Sequence, residues 1–343
     1  MTPAAALPEG PPASAASWLR RYGFLFGIFA AVALAAIAPR LGAPSGPLHT
    51  GAWNWAIASA LFLISGLVIR TSEIPRAVAD WRLHLFTQGF NLGALPALFW
   101  VTSVLLAAAG LDRALCLGLV FLGILSTTTT SGVVLTRSAG GDEAGALFNA
   151  TLGSVLGVVV SPALLLLCTG KAGSLPFLPM VGKLVAQVLI PLGIGQALQA
   201  AAPAAVDRVR PLLGRASLWL LLVLIWAVMC TGFDKGFAAS AGQLAAVGLV
   251  TALLHAAALG LAYAASGWGG WRFTRRRRTA ALIGGTQKSA ALGMPLLLIA
   301  FAHDPSLGLI ALPLIIYHPL QMVAASLMAP GLERWNRAGG LEP

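Results

Sequence analysis

The chain has 343 residues, of which 58% are hydrophobic and 10% charged, with a net charge of +11 at pH 7. A soluble globular domain carries about a quarter charged residues, and the mean hydropathy here is +0.84, so the composition is that of a chain solvated by lipid. The basic excess sits at alternate breaks between apolar runs, which excludes a nucleic-acid binder, and Cys116, Cys168 and Cys230 are too few and too scattered for a metal site or a disulfide framework.

Residues 1–17 are rich in Ala, Pro and Ser and read as a disordered tail. Arg20-Arg21 before an apolar run resembles a signal sequence, but nine more apolar runs follow, so the first is read as a retained span. Ten spans are predicted, at 22–38, 52–69, 83–109, 114–136, 143–168, 177–201, 213–231, 239–265, 279–302 and 306–330, with a C-terminal tail over 333–343. Pro96, Pro162 and Pro191 are placed to kink the longer ones. Sixteen basic residues, from Arg20 to Arg337, collect on one side of the predicted membrane, and four, Arg40, Arg113, Lys171 and Lys235, on the other. The positive-inside rule then predicts a multi-pass protein of the inner cell membrane with both termini cytoplasmic and Arg275-Arg276-Arg277-Arg278 as a topology anchor.

Ser161-Pro162 of the fifth span matches His318-Pro319 of the tenth at an offset of 157 residues, and the same offset sets Thr130 on Gln287. Two repeats are predicted, 18–170 and 171–332. Five spans per half is an odd number, so the second copy enters the membrane inverted. Inverted repeats with polar, Gly-interrupted spans at matching places are a transporter signature.

The fourth span carries Ser126-Thr127-Thr128-Thr129-Thr130-Ser131-Gly132, consecutive hydroxyls that point all around a helix. They predict backbone unwound around a cavity, with Thr128, Thr129, Thr130 and Ser131 as candidate ligands. Asn149 of the fifth span faces either a ligand or a neighbouring helix, and Gln88 and Asn91 precede Pro96 in the third. The ninth span holds Gly284-Gly285-Thr286-Gln287-Lys288-Ser289, a charge about 15 Å below the arginine cluster at helical rise, too deep to snorkel out. Because no acid lies mid-span, Lys288, His255 and His318 are the titratable groups within the bilayer, and the two histidines are candidates for proton linkage. No His-Glu-x-x-His, Gly-x-Ser-x-Gly or paired intramembrane aspartate is present, so no catalytic residue is assigned.

Ser126 to Thr136, Gly140 to Asn149 with Ser161-Pro162, and Gly285 to Pro295 together resemble the bile acid:sodium symporter family, most of all its sodium/bile-acid cotransporter-7 (SBF-like) branch, over residues 18 to 330. The resemblance implies an all-α polytopic fold of ten transmembrane helices. Spans 1, 2, 6 and 7 would form a panel domain, and spans 3–5 and 8–10 a core domain in which broken spans 4 and 9 cross. Substrate, a bile acid or another small organic anion commonly moved with sodium, would bind near the crossing, at Asn91, Thr128 to Ser131, Asn149 and Thr286 to Ser289. Departures bear on sodium. Where sodium-coupled members have a glutamate four residues before Gln287, this chain has Ile283; where they have an asparagine after that glutamine it has Lys288; and their fourth-span Ser-Asn pair is Ser131-Gly132. Lys288 admits three roles: an ammonium in place of the cation with an anion beside it, a proton carrier, or a tether of the broken helices to backbone carbonyls. The expected function is a secondary transporter of an organic anion, with a non-transporting receptor and a membrane enzyme as alternatives. The usual full sodium coupling is not expected, the candidate coupling ions are sodium and a proton, and no cofactor is expected.

Overall fold

The computed structural model describes residues 15–44, 46–68, 80–128, 130–169, 177–235, 240–301 and 304–339, and the regular structure among them is helical. The first elements are α1 (Ala15–Ile37), α2 (Pro39–Gly42) and α3 (Thr50–Val68). Helix α4 joins Trp81–Gly89, a π-helical Phe90–Ala94 and Leu95–Ala108. Then come α5 (Arg113–Ile124), α6 (Thr130–Ser138) and α7 (Glu143–Thr169). Helix α8 joins Phe177–Leu184, a π-helical Val185–Leu189 and Ile190–Ala201. The chain ends with α9 (Pro203–Lys235), α10 (Ala241–Ser266), α11 (Arg275–Thr286), α12 (Ala290–Ala300) and α13 (Leu307–Ala338).

Every predicted span contains helix. Eight stretches among the described residues, counting α11 with α12, are long and apolar enough to cross a membrane; Phe26–Ile37 and Arg113–Ile124 are shorter apolar helices. Three boundaries differ from expectation by more than four residues. Helix α1 begins at Ala15 rather than 22, so the last three residues of the tail expected to be disordered are helical. Helix α9 begins at Pro203 rather than 213, and α13 runs to Ala338, into the predicted tail. Hydropathy marks only the apolar part of a helix, whereas the backbone goes on bonding to itself in the polar zone beyond. On the added part of α9, Arg210 bonds Asp207 one turn back and donates to the Val68 carbonyl at the end of α3. Arg20, Arg21, Arg70, Arg76, Lys171 and Lys235 of the charge count, and the predicted N-terminal tail, lie outside the described side chains.

Two of the three prolines act through the turn before them. A proline has no N–H, and its ring crowds the preceding turn. Here the backbone widens just ahead of it: Leu95 N–H bonds Phe90 O and Ile190 N–H bonds Val185 O, each five residues back, next to Pro96 and Pro191. Helix α7 runs through Pro162 without such a bulge.

The helices pack in two groups. Helices α1, α3, α8 and α9 lie mainly on one another, as do α4–α7 with α10, α11 and α13; α12 packs on both groups, against α13 and against α3, α8 and α9, and α7 against α8 and α13 against α9 also join them. Within the first group, α3 and α8 approach so closely that a Cβ on Gly66 would meet Leu192 O at 2.2 Å and one on Gly195 would meet Leu63 O at 2.3 Å. Small residues at such a crossing let backbones touch where lipid supplies no hydrophobic drive. Phe29, Trp100, Leu105, Trp219 and Leu249 are exposed on the outer faces. The arginine anchor is tied down: Arg275 donates to Trp335 O at 2.9 Å, Arg277 pairs with Asp80 at 2.6 Å, and Arg278 lies over Tyr263.

Candidate functional site

The second helix group is organised around two interruptions. The fourth span is helical to Ile124 and again from Thr130, and the ninth to Thr286 and again from Ala290. Serial Ser and Thr offer the backbone side-chain alternatives to helical bonds, and Gly284-Gly285 lowers the helix preference of the other break. Ser289 restarts its helix as an N-cap, accepting from Leu292 N at 3.2 Å. The breaks cross and join by Ser289 N–H to Ser126 O at 2.8 Å.

A helix end leaves carbonyls without partners, and in an apolar interior each must find a donor. At the end of α5, Leu122 O takes Leu125 N–H, Ile124 O takes the Ser161 hydroxyl at 2.8 Å, and Gly123 O and Leu125 O take the ammonium of Lys288 at 2.7 and 2.8 Å. The third ammonium proton goes to Asn91 O at 2.8 Å. That carbonyl is free because the bulge hands Leu95 N–H to Phe90 O and Pro96 has no N–H to offer. An ammonium has three donors and no acceptor. All three are engaged and Lys288 is 0% exposed, so in this conformation none is left for an anion.

The other break is clasped by side chains. Asn91 Nδ2 donates to Gly285 O at 2.9 Å and to Gln287 O at 3.0 Å. Gln321 of α13 holds both faces of one residue, accepting from Lys288 N at 2.7 Å and donating to Lys288 O at 2.9 Å. Tyr317 donates its hydroxyl proton to Thr286 O at 2.7 Å, so His255 Nδ1, 2.9 Å from that hydroxyl, must be its donor. Gln321 Nε2 also lies 3.1 Å from His318 Nδ1; with its oxygen on Lys288 N, the amide donates and the imidazole accepts. Both histidines thus pack against the crossing, and His318, whose Nδ1 accepts, is neutral in this conformation.

The predicted ligands divide. Asn91, Gln287, Lys288 and Ser289 meet at the crossing. Thr128 and Ser131 pair hydroxyl to hydroxyl at 3.0 Å, Thr286 bonds back to Leu282 O, and Asn149 receives Gln88 Nε2 on its carbonyl at 2.8 Å. Thr129 and the side chain of Thr130 lie outside the described residues. Several buried atoms have no protein partner: Gln88 Oε1, Asn91 Oδ1, Ser126 Oγ, Thr127 Oγ1 and both amide atoms of Gln287. A Cβ on Gly153 would touch Thr127 and Gln88, and one on Gly132 would meet Gln287 Oε1 at 3.4 Å, so these polar atoms line the seam between α7, α4 and the breaks. Residues that sequence reasoning missed are Gln321 and Tyr317, whose signal was polarity inside an apolar span, and the carbonyls of Asn91, Gly123 and Leu125, which carry no signal in side-chain identity.

A cavity of about 590 Å³ lies where the helix groups meet, lined by Asn54 and Trp55 of α3, Lys183 and Gln187 of α8, Leu298 of α12 and Leu307 of α13. Among the described residues Lys183 is the one charged group in its lining, and Asn54 Oδ1 and Gln187 Oε1 are buried without partners. That volume falls in the usual range for small-molecule sites, about 300–1,000 Å³.

Comparison with known proteins agrees with this architecture. The sequence profile of the SBF-like CPA transporter family matches residues 22–334. Sodium/bile acid cotransporter 7 of Rattus norvegicus is 34% identical over 319 residues, 92% of this chain and 94% of the relative. The proteins of the same name from Xenopus tropicalis and Danio rerio are 34% and 32% identical, over 92% of this chain and 93% and 95% of theirs. A family of membrane transporters accounts for the apolar helices, the paired breaks and the cavity between helix groups: the chain belongs to the SBF-like CPA transporter family.

Proposed function

We propose that the protein is a secondary transporter of a small organic anion, working by alternating access between two inverted five-span halves, with α1, α3, α8 and α9 as a panel and α4–α7 with α10–α13 as a core. The observation that carries this reading is the pair of broken helices crossing back to back, each braced from the last helix of its own half: Ser161 of α7 on Ile124 O, and Tyr317 and Gln321 of α13 on Thr286 and Lys288. The cavity lies between panel and core, where rocking of one against the other opens and closes it. Lys183, the one cation among the described lining residues, suits an anion, and the relatives are named as bile acid cotransporters, which supports an organic acid as substrate. None of the described crossing residues lines this cavity; Asn91, Thr128, Ser131, Asn149 and Thr286 to Ser289 serve it by holding together the core helices behind it. His255 and His318 support the breaks. Both termini are placed in the cytoplasm and the protein in the inner cell membrane on the basic-residue count.

Sodium finds a mixed reception. The unpaired oxygens of Gln88, Asn91, Thr127 and Gln287 are the type of ligand a hard cation takes, but all are neutral. Ile283 stands in place of a carboxylate, and the caged ammonium of Lys288 supplies a positive charge at the crossing. Transport is therefore expected to proceed without sodium. Purified protein in proteoliposomes, given labelled bile acids and smaller organic acids, should show saturable uptake of at least one anion equally in sodium and in choline medium. Uptake that vanishes in choline would overturn sodium independence, and ligand binding without any flux would favour a receptor.

A further inference from the structure

We propose that the carbonyls of Asn91, Gly123 and Leu125 constitute a binding site for a monovalent cation, and that the chain supplies its own occupant as the ammonium of Lys288. The three oxygens stand 2.8, 2.7 and 2.8 Å from Nζ, so the cage has a nearly uniform radius. None belongs to a side chain, and no acidic residue is a partner of the ammonium. The negative charge is dipolar. Gly123 and Leu125 lie at the C-terminal end of α5, where aligned peptide dipoles leave about half an elementary charge. Asn91 O is exposed by the π-bulge beside Pro96.

This geometry selects its ligand class. Divalent cations require shorter distances, about 2.3–2.6 Å for calcium and about 2.0–2.1 Å for magnesium, and usually carboxylates. Three acceptors at 2.7–2.8 Å match the three donors of a primary ammonium ion in number and length. A quaternary ammonium has the charge but no donor. Lys288 thus acts as a tethered alkylammonium ligand of a site that α4 and α5 build. The inference does not depend on what the protein transports, because it is read from stability.

The Lys288→Ala variant removes the equivalent of propylammonium from the cage. The detergent-purified, full-length variant should unfold at a temperature lower than the wild type by on the order of 10 °C. Propylammonium chloride at millimolar concentration should restore most of that shift, while tetramethylammonium chloride at equal ionic strength should restore none. Equal effects of the two salts would overturn the proposal. Lys288→Met, which fills the channel but brings no ammonium, should be destabilised and unresponsive to either salt; a Met variant as stable as wild type would also overturn it. If the Ala variant does not fold, the wild type still decides: an amine-acylating reagent should modify Lys183 and spare Lys288 until the protein unfolds. Modification of Lys288 in the folded protein would refute the cage.

Discussion

Gln321 bonds both backbone groups of one residue, Lys288, inside an apolar bundle. Gln321→Leu keeps the volume and leaves that N–H and C=O buried and unpaired, at about 1–3 kcal/mol per orphaned group. Equilibrium unfolding in mixed micelles should therefore show a loss of about 2–6 kcal/mol, whereas Gln321→Glu, which as a buried neutral carboxyl keeps one donor and one acceptor, should fall between wild type and Gln321→Leu. Asn91→Leu should cost a similar amount, since both its amide protons go to carbonyls of the ninth-span break. Part of this was legible in the sequence. Lys288, Gln287 and Asn91 are polar where polarity is expensive, and each lies at the crossing. Side-chain identity could not show that Lys288 meets only main-chain oxygens, because such ligands are made by the fold of the backbone. Gln321 was visible as an amide in an apolar run, but its reach to a residue 33 positions earlier depends on how α13 packs.

Helices α4 and α5 owe their part in the site to defects. Pro96 forces the bulge that frees Asn91 O, and the hydroxyl run ends α5 where its last carbonyls face Lys288. Pro96→Ala returns an N–H to α4 and lets the helix close on itself, so the carbonyl at 91 gains a competing partner. The variant should be more helical locally yet less stable overall, by about 1–2 kcal/mol, and should lose anion uptake. Uptake together with unfolding of the same preparation checks both halves of that statement. In the first group, Gly195→Val should separate α3 from α8, because even a Cβ would press on Leu63 O at 2.3 Å; loss of folded protein by size-exclusion chromatography is the expected result. The breaks were legible in outline from Ser126 to Gly132 and from Gly284 to Ser289. The bulges were read only as kinks at proline. The interfacial turns of α9 and the last turns of α13 were missed because charged residues interrupt the apolar signal while the backbone ladder continues.

The two helix groups meet over the cavity lined by α3, α8, α12 and α13. If they rock against one another, bridging Asn54→Cys and Leu298→Cys with a short bifunctional thiol reagent should stop uptake, and a reducible bridge should restore it on reduction; Cys116, Cys168 and Cys230 are first replaced by Ala. Uptake unaffected by the bridge would rule out rocking at this seam. The cage within the core has a further consequence, in time rather than in space. Its carbonyls precede Lys288 by 163 to 197 residues. At about 5–20 residues per second, roughly 8–40 s separate the synthesis of the socket from that of its plug. During that interval α4 and α5 stand in the bilayer with unmatched oxygens, and the late-arriving lysine finishes what the early helices began. The socket is thus filled only once the ninth span has been made. A chain terminated at Gly285 should be cleared in a pulse-chase experiment well before full-length protein, and supplying residues 286–343 as a separate fragment should prolong its life.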